Sequence, residues 1–255
     1  MKKILATVMT LGALTLGTSS AQAAESIRFA TEATYPPFEY VGENNELKGF
    51  DIDLAHALCD ELKAKCTFSN QPFDSLIPSL KFRRFDAIIS GMDITPARLK
   101  QVDFSQPYYE NSAAFVASTQ KGFKSVEDLK GKTVGVQNGT THQTYIIDKL
   151  EKQGVKVRPY DSFQNAFLDM TNGRIDSVFS DTAVANEWLA ERGGKQYGPV
   201  GAEVKDAEYF GIGYGIAVRQ GDELKKKLDA ALDTLKTNGT YQKIYDKYFT
   251  KPEQK

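Results

Sequence analysis

The sequence predicts an α/β protein of two doubly wound lobes joined by a two-segment hinge, and three observations carry that expectation. Strand-like and helix-like runs alternate through nearly all of the 255 residues, the rhythm of βαβ units. The alternation falls into two sets, one before residue 111 and one after 118. Two extended segments, one between the sets and one after the second, precede a helical stretch that closes the chain. The expected divisions are a leader over 1–23, a first lobe over 24–111 and 219–255, a second lobe over 118–210, and hinge segments over 112–117 and 211–218.

The leader shows Lys2 and Lys3, the apolar run Ile4 to Leu16 and a small-residue cleavage site, Ala21-Gln22-Ala23. Its apolar run is shorter than the roughly 18 residues a spanning helix needs. No cysteine stands at its end to take a lipid, so export to a Gram-negative periplasm is expected. Cleavage would remove two lysines and no acids, leaving thirty bases against thirty-three acids, a net charge of −3. That balance favours neither nucleic acid nor an anionic membrane as partner.

The first set opens with strand Ile27 to Thr31 and a turn-bearing excursion through Glu43-Asn44-Asn45. A helix follows from Asp51, with Leu54, Ala55, Leu58 and Leu62 on one face. Strand Cys66 to Ser69, helix Asp74 to about Phe82 and strand Asp86 to Ser90 complete it, and the alternation points to a parallel sheet. In the second set the strands are Thr133 to Val136, Val155 to Tyr160 and Ile175 to Ser180. Its helices are Thr141 to Lys152, Phe163 to Thr171 and one from Thr182. The closing stretch carries one stripe of Leu224, Leu228, Ala231, Leu232 and Leu235 and another of Tyr241, Ile244, Tyr245, Tyr248 and Phe249. Asn238-Gly239 stands between them as a helix stop. The glycines of GIGYG (211–215) lie in an apolar strand-like run with no acid at dinucleotide-binding distance, which reads as hinge flexibility.

Cys59 and Cys66 are the only cysteines, and an even count in an exported chain favours a disulfide. Two thiols without nearby histidines cannot complete zinc's set of four, so no metal site and no cofactor are expected. His56 and His142, the only histidines, stand in no metal-ligand spacing; His142 follows the Thr140-Thr141 loop, where it could touch a ligand, but a solvated or capping role is expected.

Six strings in order, TYPPFE, GFDIDLAHAL, FDSLIPSL, the stretch Ile88 to Arg98, VGVQNGTT and NGTYQKIYDKYF, resemble family 3 solute-binding proteins of amino-acid ABC importers. The likeness spans essentially the whole chain after the leader and is nearest to receptors for arginine and for lysine, arginine and ornithine. It implies a type II periplasmic-binding-protein fold and a monomeric receptor that captures a cationic L-amino acid, arginine first, and delivers it to an inner-membrane permease with its ATPase. By the same resemblance Arg98 takes the ligand's α-carboxylate, helped by Gly91 and Thr141. Asp181 takes the α-ammonium, Tyr35 and Phe73 sandwich the side chain, Glu32 faces the distal nitrogen, and Ser90 and Asp93 complete the nine residues expected at the site.

The residues themselves leave plainer roles open. Arg98 follows Thr95-Pro96, a helix start, but could be a surface arginine. Asp181 stands where a strand meets a helix and could be an N-cap. Tyr35 and Phe73 could be core aromatics, and Glu32 a solvated strand end. Asp93 departs from the serine or threonine usual in the resembling receptors. It could reinforce Asp181, raise the pKa of one acid, or turn toward Ser90 and the cationic tail. A periplasmic cyclohexadienyl dehydratase shares this architecture, and acid catalysis by Glu32 or Asp93 stays open, but no serine, cysteine or histidine is arranged as a nucleophile, so no enzyme is expected. Sensor modules of this kind continue into a membrane span or catalytic domain, whereas this chain stops at Lys255, which favours transport. Lysine, ornithine and histidine stay open beside arginine as ligands.

Overall fold

The computed structural model describes residues 25–192 and 195–250; the expected leader, 1–23, lies outside them. The chain begins with β1 (Ser26–Thr31), whose Ile27, Phe29 and Ala30 are buried. A small antiparallel flap follows, β2 (Thr34–Tyr35), β3 (Glu39–Val41) and β4 (Leu47–Lys48). Then come α1 (Phe50–Glu61), β5 (Lys65–Asn70), a turn of 3-10 helix over Phe73–Ser75, α2 (Leu76–Lys81), β6 (Ala87–Ile88), α3 (Pro96–Leu99) and β7 (Asp103–Phe104).

The second lobe holds β8 (Ala113–Ser118), β9 (Thr133–Gln137), α4 (Thr141–Tyr145), β10 (Lys156–Tyr160), α5 (Phe163–Thr171), β11 (Ser177–Asp181), α6 (Thr182–Glu191) and β12 (Tyr197–Val204). The chain then returns to the first lobe as β13 (Ala217–Val218), α7 (Leu224–Thr237) and α8 (Thr240–Phe249). Strand order is β5-β1-β6-β13-β7 in one sheet and β10-β9-β11-β8-β12 in the other.

Neither sheet is wholly parallel. Four strands of each run in one direction, while β13 in one and β8 in the other run against them. The antiparallel strands lie next to the crossings between the lobes, where the chain enters a sheet from its partner rather than over a helix. The expected hinge segment 112–117 is largely β8, buried along almost its whole length. A run of small apolar residues without alternation is what a strand covered on both faces looks like, and periodicity alone does not separate it from a connector. In the second expected segment, 211–218, the crossing occupies the glycine-rich part and β13 takes the last two residues.

The two crossings meet at a waist. Tyr214 N–H donates to the Tyr109 carbonyl (2.8 Å) and Tyr108 N–H to the Tyr214 carbonyl (2.9 Å). Against the first lobe, α7 buries Leu224, Leu228, Ala231, Leu232 and Leu235, the stripe the sequence shows. Helix α8 is only partly buried, and its Phe249 ring packs 5.1 Å from Phe50 and 5.4 Å from Phe38.

Cys59, late in α1, and Cys66, in β5, form a disulfide. The closed loop is short, so a Cys59→Ser/Cys66→Ser variant is expected to lose about 2–3 kcal/mol in the chain-entropy account. For a chain of this size that lowers Tm by roughly 5–10 °C. Scanning calorimetry reads the shift, and an unchanged Tm would show that the bond does not restrain the unfolded chain.

Candidate functional site

The strand ends and helix starts of both sheets converge on one enclosed cavity between the lobes, the edge where open α/β sheets bind ligands. From the first lobe it is lined by Glu32, which follows β1, Tyr35 of β2, Glu39 of β3, Phe73, Gly91, Asp93 and Arg98. Gln137, Thr140, Thr141, His142, Phe163 and Asp181 line it from the second. Eight of the nine expected site residues are therefore in one place. The ninth, Ser90, sits behind the wall: its Oγ donates to Glu39 Oε1 (2.9 Å) and accepts the Glu32 amide N–H (2.9 Å).

Arg98 is 8% exposed and held by the local chain. Thr95 caps α3 by accepting the Arg98 N–H (3.3 Å), and Arg98 Nη1 donates to the Asp93 carbonyl (3.0 Å). The guanidinium carbon lies 5.5 Å from the centre of the Phe73 ring. Burial pulls the pKa of Arg98 below its ordinary value, against the opposing pull of Asp93 and Asp181. Among the described residues no carboxylate pairs with it, so most of its donor fork remains for an anion from outside.

Two groups of buried acids flank the cavity. In the first, Asn111 Nδ2 donates to Asp93 Oδ1 (3.0 Å) and also to Asp181 Oδ1, so one amide bridges both carboxyls. Asp93 Oδ2 accepts from Thr141 Oγ1 across the cleft (3.2 Å). Asp93 thus faces Asn111 and Thr141 rather than Ser90. Asp181 Oδ2 accepts the hydroxyls of Tyr35, from the other lobe, and Tyr214 (2.6 Å).

The two aspartates are pushed apart. Burial opposes ionisation of Asp181, but His142 and the tyrosine hydroxyls outweigh it and hold its carboxyl below the ordinary range. Burial and the neighbouring Asp181 carry Asp93 well above that range, despite Arg98.

The second group is Glu32 and Glu39, joined through Ser90. Glu32 Oε1 accepts the Thr34 hydroxyl (2.6 Å). Burial raises the Glu32 carboxyl above its usual pKa, and the bonds from Thr34 and from Gln137 of the facing lobe offset part of that. Tyr35 packs against Phe163 of the second lobe (5.3 Å between centroids), and Phe73 stands apart under Arg98.

His142 corrects an expectation: it is neither solvated nor a cap. Its ring is 2% exposed, wedged among Phe163, Phe179 and Phe210, with Nε2 3.1 Å from Asp181 Oδ1. That nitrogen is in reach of the carboxylate but off the line of a well-directed hydrogen bond. The capping is done by Thr140, whose hydroxyl accepts the Gln143 N–H and donates to the Gln137 carbonyl (2.7 Å). His56 is exposed on α1, with its ring against Phe68.

Two glycines are required by close approach. Gly91 has φ +47°, and a Cβ there would meet the Tyr35 ring at 3.2 Å. Gly139 has φ +74°, and a Cβ would meet Asp74 of the opposite lobe at 2.8 Å, beside the Asn138 Nδ2 bond to Asp74 Oδ2 (2.7 Å).

Glu39, Gln137, Phe163, Asn111 and Tyr214 were not anticipated from the sequence as site residues, and His142 only as one its loop could bring to a ligand. Glu39 and Gln137 do stand inside the strings TYPPFE and VGVQNGTT, and Glu39 pairs with Tyr35 across β2 and β3, which puts the two side chains on one face. Among the described residues no helix is long and apolar enough to cross a membrane, and no group of His, Cys, Asp and Glu could hold a metal ion.

The model of bacterial extracellular solute-binding proteins, family 3, matches residues 27–251. ABC transporter arginine-binding protein 1 of Escherichia coli K12 is 56% identical over 98% of this chain and 99% of its own length. A solved Salmonella typhimurium periplasmic binding protein of high arginine specificity superimposes with a TM-score of 0.84 at 47% identity, covering 89% of this chain and 100% of that one. An ancestral arginine-binding protein, solved bound to glutamine, gives a TM-score of 0.81 at 43% identity, with coverage of 89% and 98%.

Proposed function

The chain belongs to the bacterial extracellular solute-binding proteins, family 3, and from that premise we propose that it captures L-arginine between its lobes in the periplasm and delivers it to an ABC permease with its ATPase. One observation carries the choice of ligand: the cavity is lined by four buried carboxyl groups but by one arginine and one histidine. Buried acids without counter-charge are costly, so the complement is a ligand bearing one carboxylate and two cationic groups. Arginine has that set. Its carboxylate meets the free donors of Arg98, its α-ammonium meets Asp181 and Asp93, and its guanidinium lies toward Glu32 and Glu39. Tyr35 and Phe73 flank the aliphatic stem.

Capture proceeds by closure. Arg98, Glu32 and Tyr35 belong to one lobe, and Asp181 and Thr141 to the other, so a ligand touches both sets only when the lobes meet, and binding shifts the population to the closed form. The two crossings, between β7 and β8 and between β12 and β13, paired at Tyr109 and Tyr214, form the hinge. No bond of the ligand is broken in this account.

Isothermal titration of the protein against the common amino acids tests it. The tightest binding is expected for arginine, with lysine and ornithine weaker and no heat from glutamate, whose extra carboxylate would add to the acidic end. The ligand is expected back unchanged after incubation. Silence with arginine, or loss of the ligand on incubation, would overturn the proposal.

A further inference from the structure

Behind the cavity wall a second carboxyl faces Glu39. Asp51, at the start of α1, is 0% exposed and Glu39 is 1% exposed. Each is bonded on one oxygen only. Glu39 Oε1 accepts from Ser90, while Asp51 Oδ2 accepts the Gly91 N–H (2.8 Å) and the Tyr108 hydroxyl (2.8 Å). The other two oxygens, Glu39 Oε2 and Asp51 Oδ1, are fully buried and take no donor, and the two carboxyls lie within hydrogen-bonding reach of each other. The titratable groups around them are Glu32 after β1, Tyr108 before β8 and Tyr241 on α8; none is a base. Two carboxylates in contact, out of water and without a cation, cannot both be ionised, and a proton between the two orphaned oxygens satisfies both.

We infer that Glu39 and Asp51 hold one proton between them in the unliganded protein and surrender it when a cationic side chain enters, so that the pair reads the charge at the ligand's far end. The inference rests on the proposed capture of arginine. Glu39 lines the cavity and Asp51 does not, so Glu39 meets the guanidinium while Asp51 sets whether Glu39 carries charge. Burial is consistent with this, raising Glu39 well above the carboxylate range and Asp51 to about 6. Because the unliganded form binds more protons than the complex, arginine affinity rises with pH, by about tenfold per pH unit for each proton released. A neutral side chain leaves the proton in place.

The experiment is titration calorimetry with arginine at pH 7 in buffers of different ionisation enthalpy, which counts protons, repeated from pH 5.5 to 8. About one proton is expected to leave on binding. Asp51→Asn keeps acceptors for Gly91 and Tyr108 and gives Glu39 a permanent donor, so its release is expected to vanish and its pH profile to flatten. Glu39→Gln is the second variant and should also abolish release. Arginine binding to the wild type without proton release, or release undiminished in both variants, overturns the inference and leaves arginine capture standing. Absence of arginine binding by the wild type overturns both.

Discussion

Replacing Arg98 with alanine is expected to weaken arginine binding by about a hundred- to several-thousandfold, since removing one partner of a buried charge contact costs roughly 3–5 kcal/mol. The expectation comes from what Arg98 does not do within the protein. Its one side-chain bond runs to the Asp93 carbonyl, and no carboxylate of the described residues pairs with it. A buried guanidinium with most of its fork unused is a cost to the unliganded fold, so Arg98→Ala should leave Tm unchanged or raise it while binding collapses. Arg98→Lys keeps a charge but not the planar fork, and should fall between, weaker by about tenfold or more. The loss should be similar for arginine, lysine and ornithine, because their shared carboxylate is the group concerned. Titration calorimetry with all three, beside a melting curve, checks this. Selective loss of arginine alone would move Arg98 to the side-chain end of the site.

What could be read from the sequence divides along the range of the interactions. The stripe on α7 predicts its buried face residue by residue, and Phe163 to Thr171 is α5 to the residue, because i, i+3 and i+4 neighbours are local. Strand β12 was missed because all its residues but Val200 are exposed or half-buried and they include Gly198, Pro199 and Gly201, and an edge strand of that composition shows no alternation. The helix expected over Thr141 to Lys152 is α-helical only to Tyr145, then a π turn over Ile146–Leu150 and a 3-10 turn over Glu151–Gln153. Side-chain periodicity does not register that change in winding.

At the site, motifs brought Glu32, Tyr35, Phe73, Gly91, Asp93, Arg98, Thr141 and Asp181 to notice because they fall in a few short local strings. Asn111 and Tyr214 belong to no such string. They reach Asp181 on the cavity wall only because the two crossings pair at the waist, and Asn111 meets Asp181 across 70 residues of sequence. Nothing in THQTY shows that the His142 ring turns inward, since the three aromatic rings that enclose it come from α5, β11 and the segment after β12.

Asp181→Asn is expected to lower arginine affinity by about a hundred- to a thousandfold, whereas Asp93→Asn should cost less than about tenfold. The two acids share Asn111, yet they are not equivalent. His142, Tyr35 and Tyr214 hold Asp181 ionised, and Asp93, buried beside that charge, is driven toward its neutral form. One negative charge then faces one α-ammonium, and Asp181 carries it. Asparagine at 181 removes the charge and leaves one acceptor oxygen where Asn111, Tyr35 and Tyr214 now share two. Asparagine at 93 resembles the neutral acid already there.

Closure gives the asymmetry a kinetic signature. The Tyr35 hydroxyl bonds Asp181 from the opposite lobe, so the Asp181→Asn loss should appear mainly as faster arginine dissociation in stopped-flow or surface-binding measurements. With its folded pKa depressed, Asp181 stays charged above the ordinary aspartate value of about 4 and loses its contribution only as pH falls through the lower, folded value. Equal losses for the two variants would mean that Asp93 and Asp181 divide the charge, and that the ammonium sits between them rather than on Asp181.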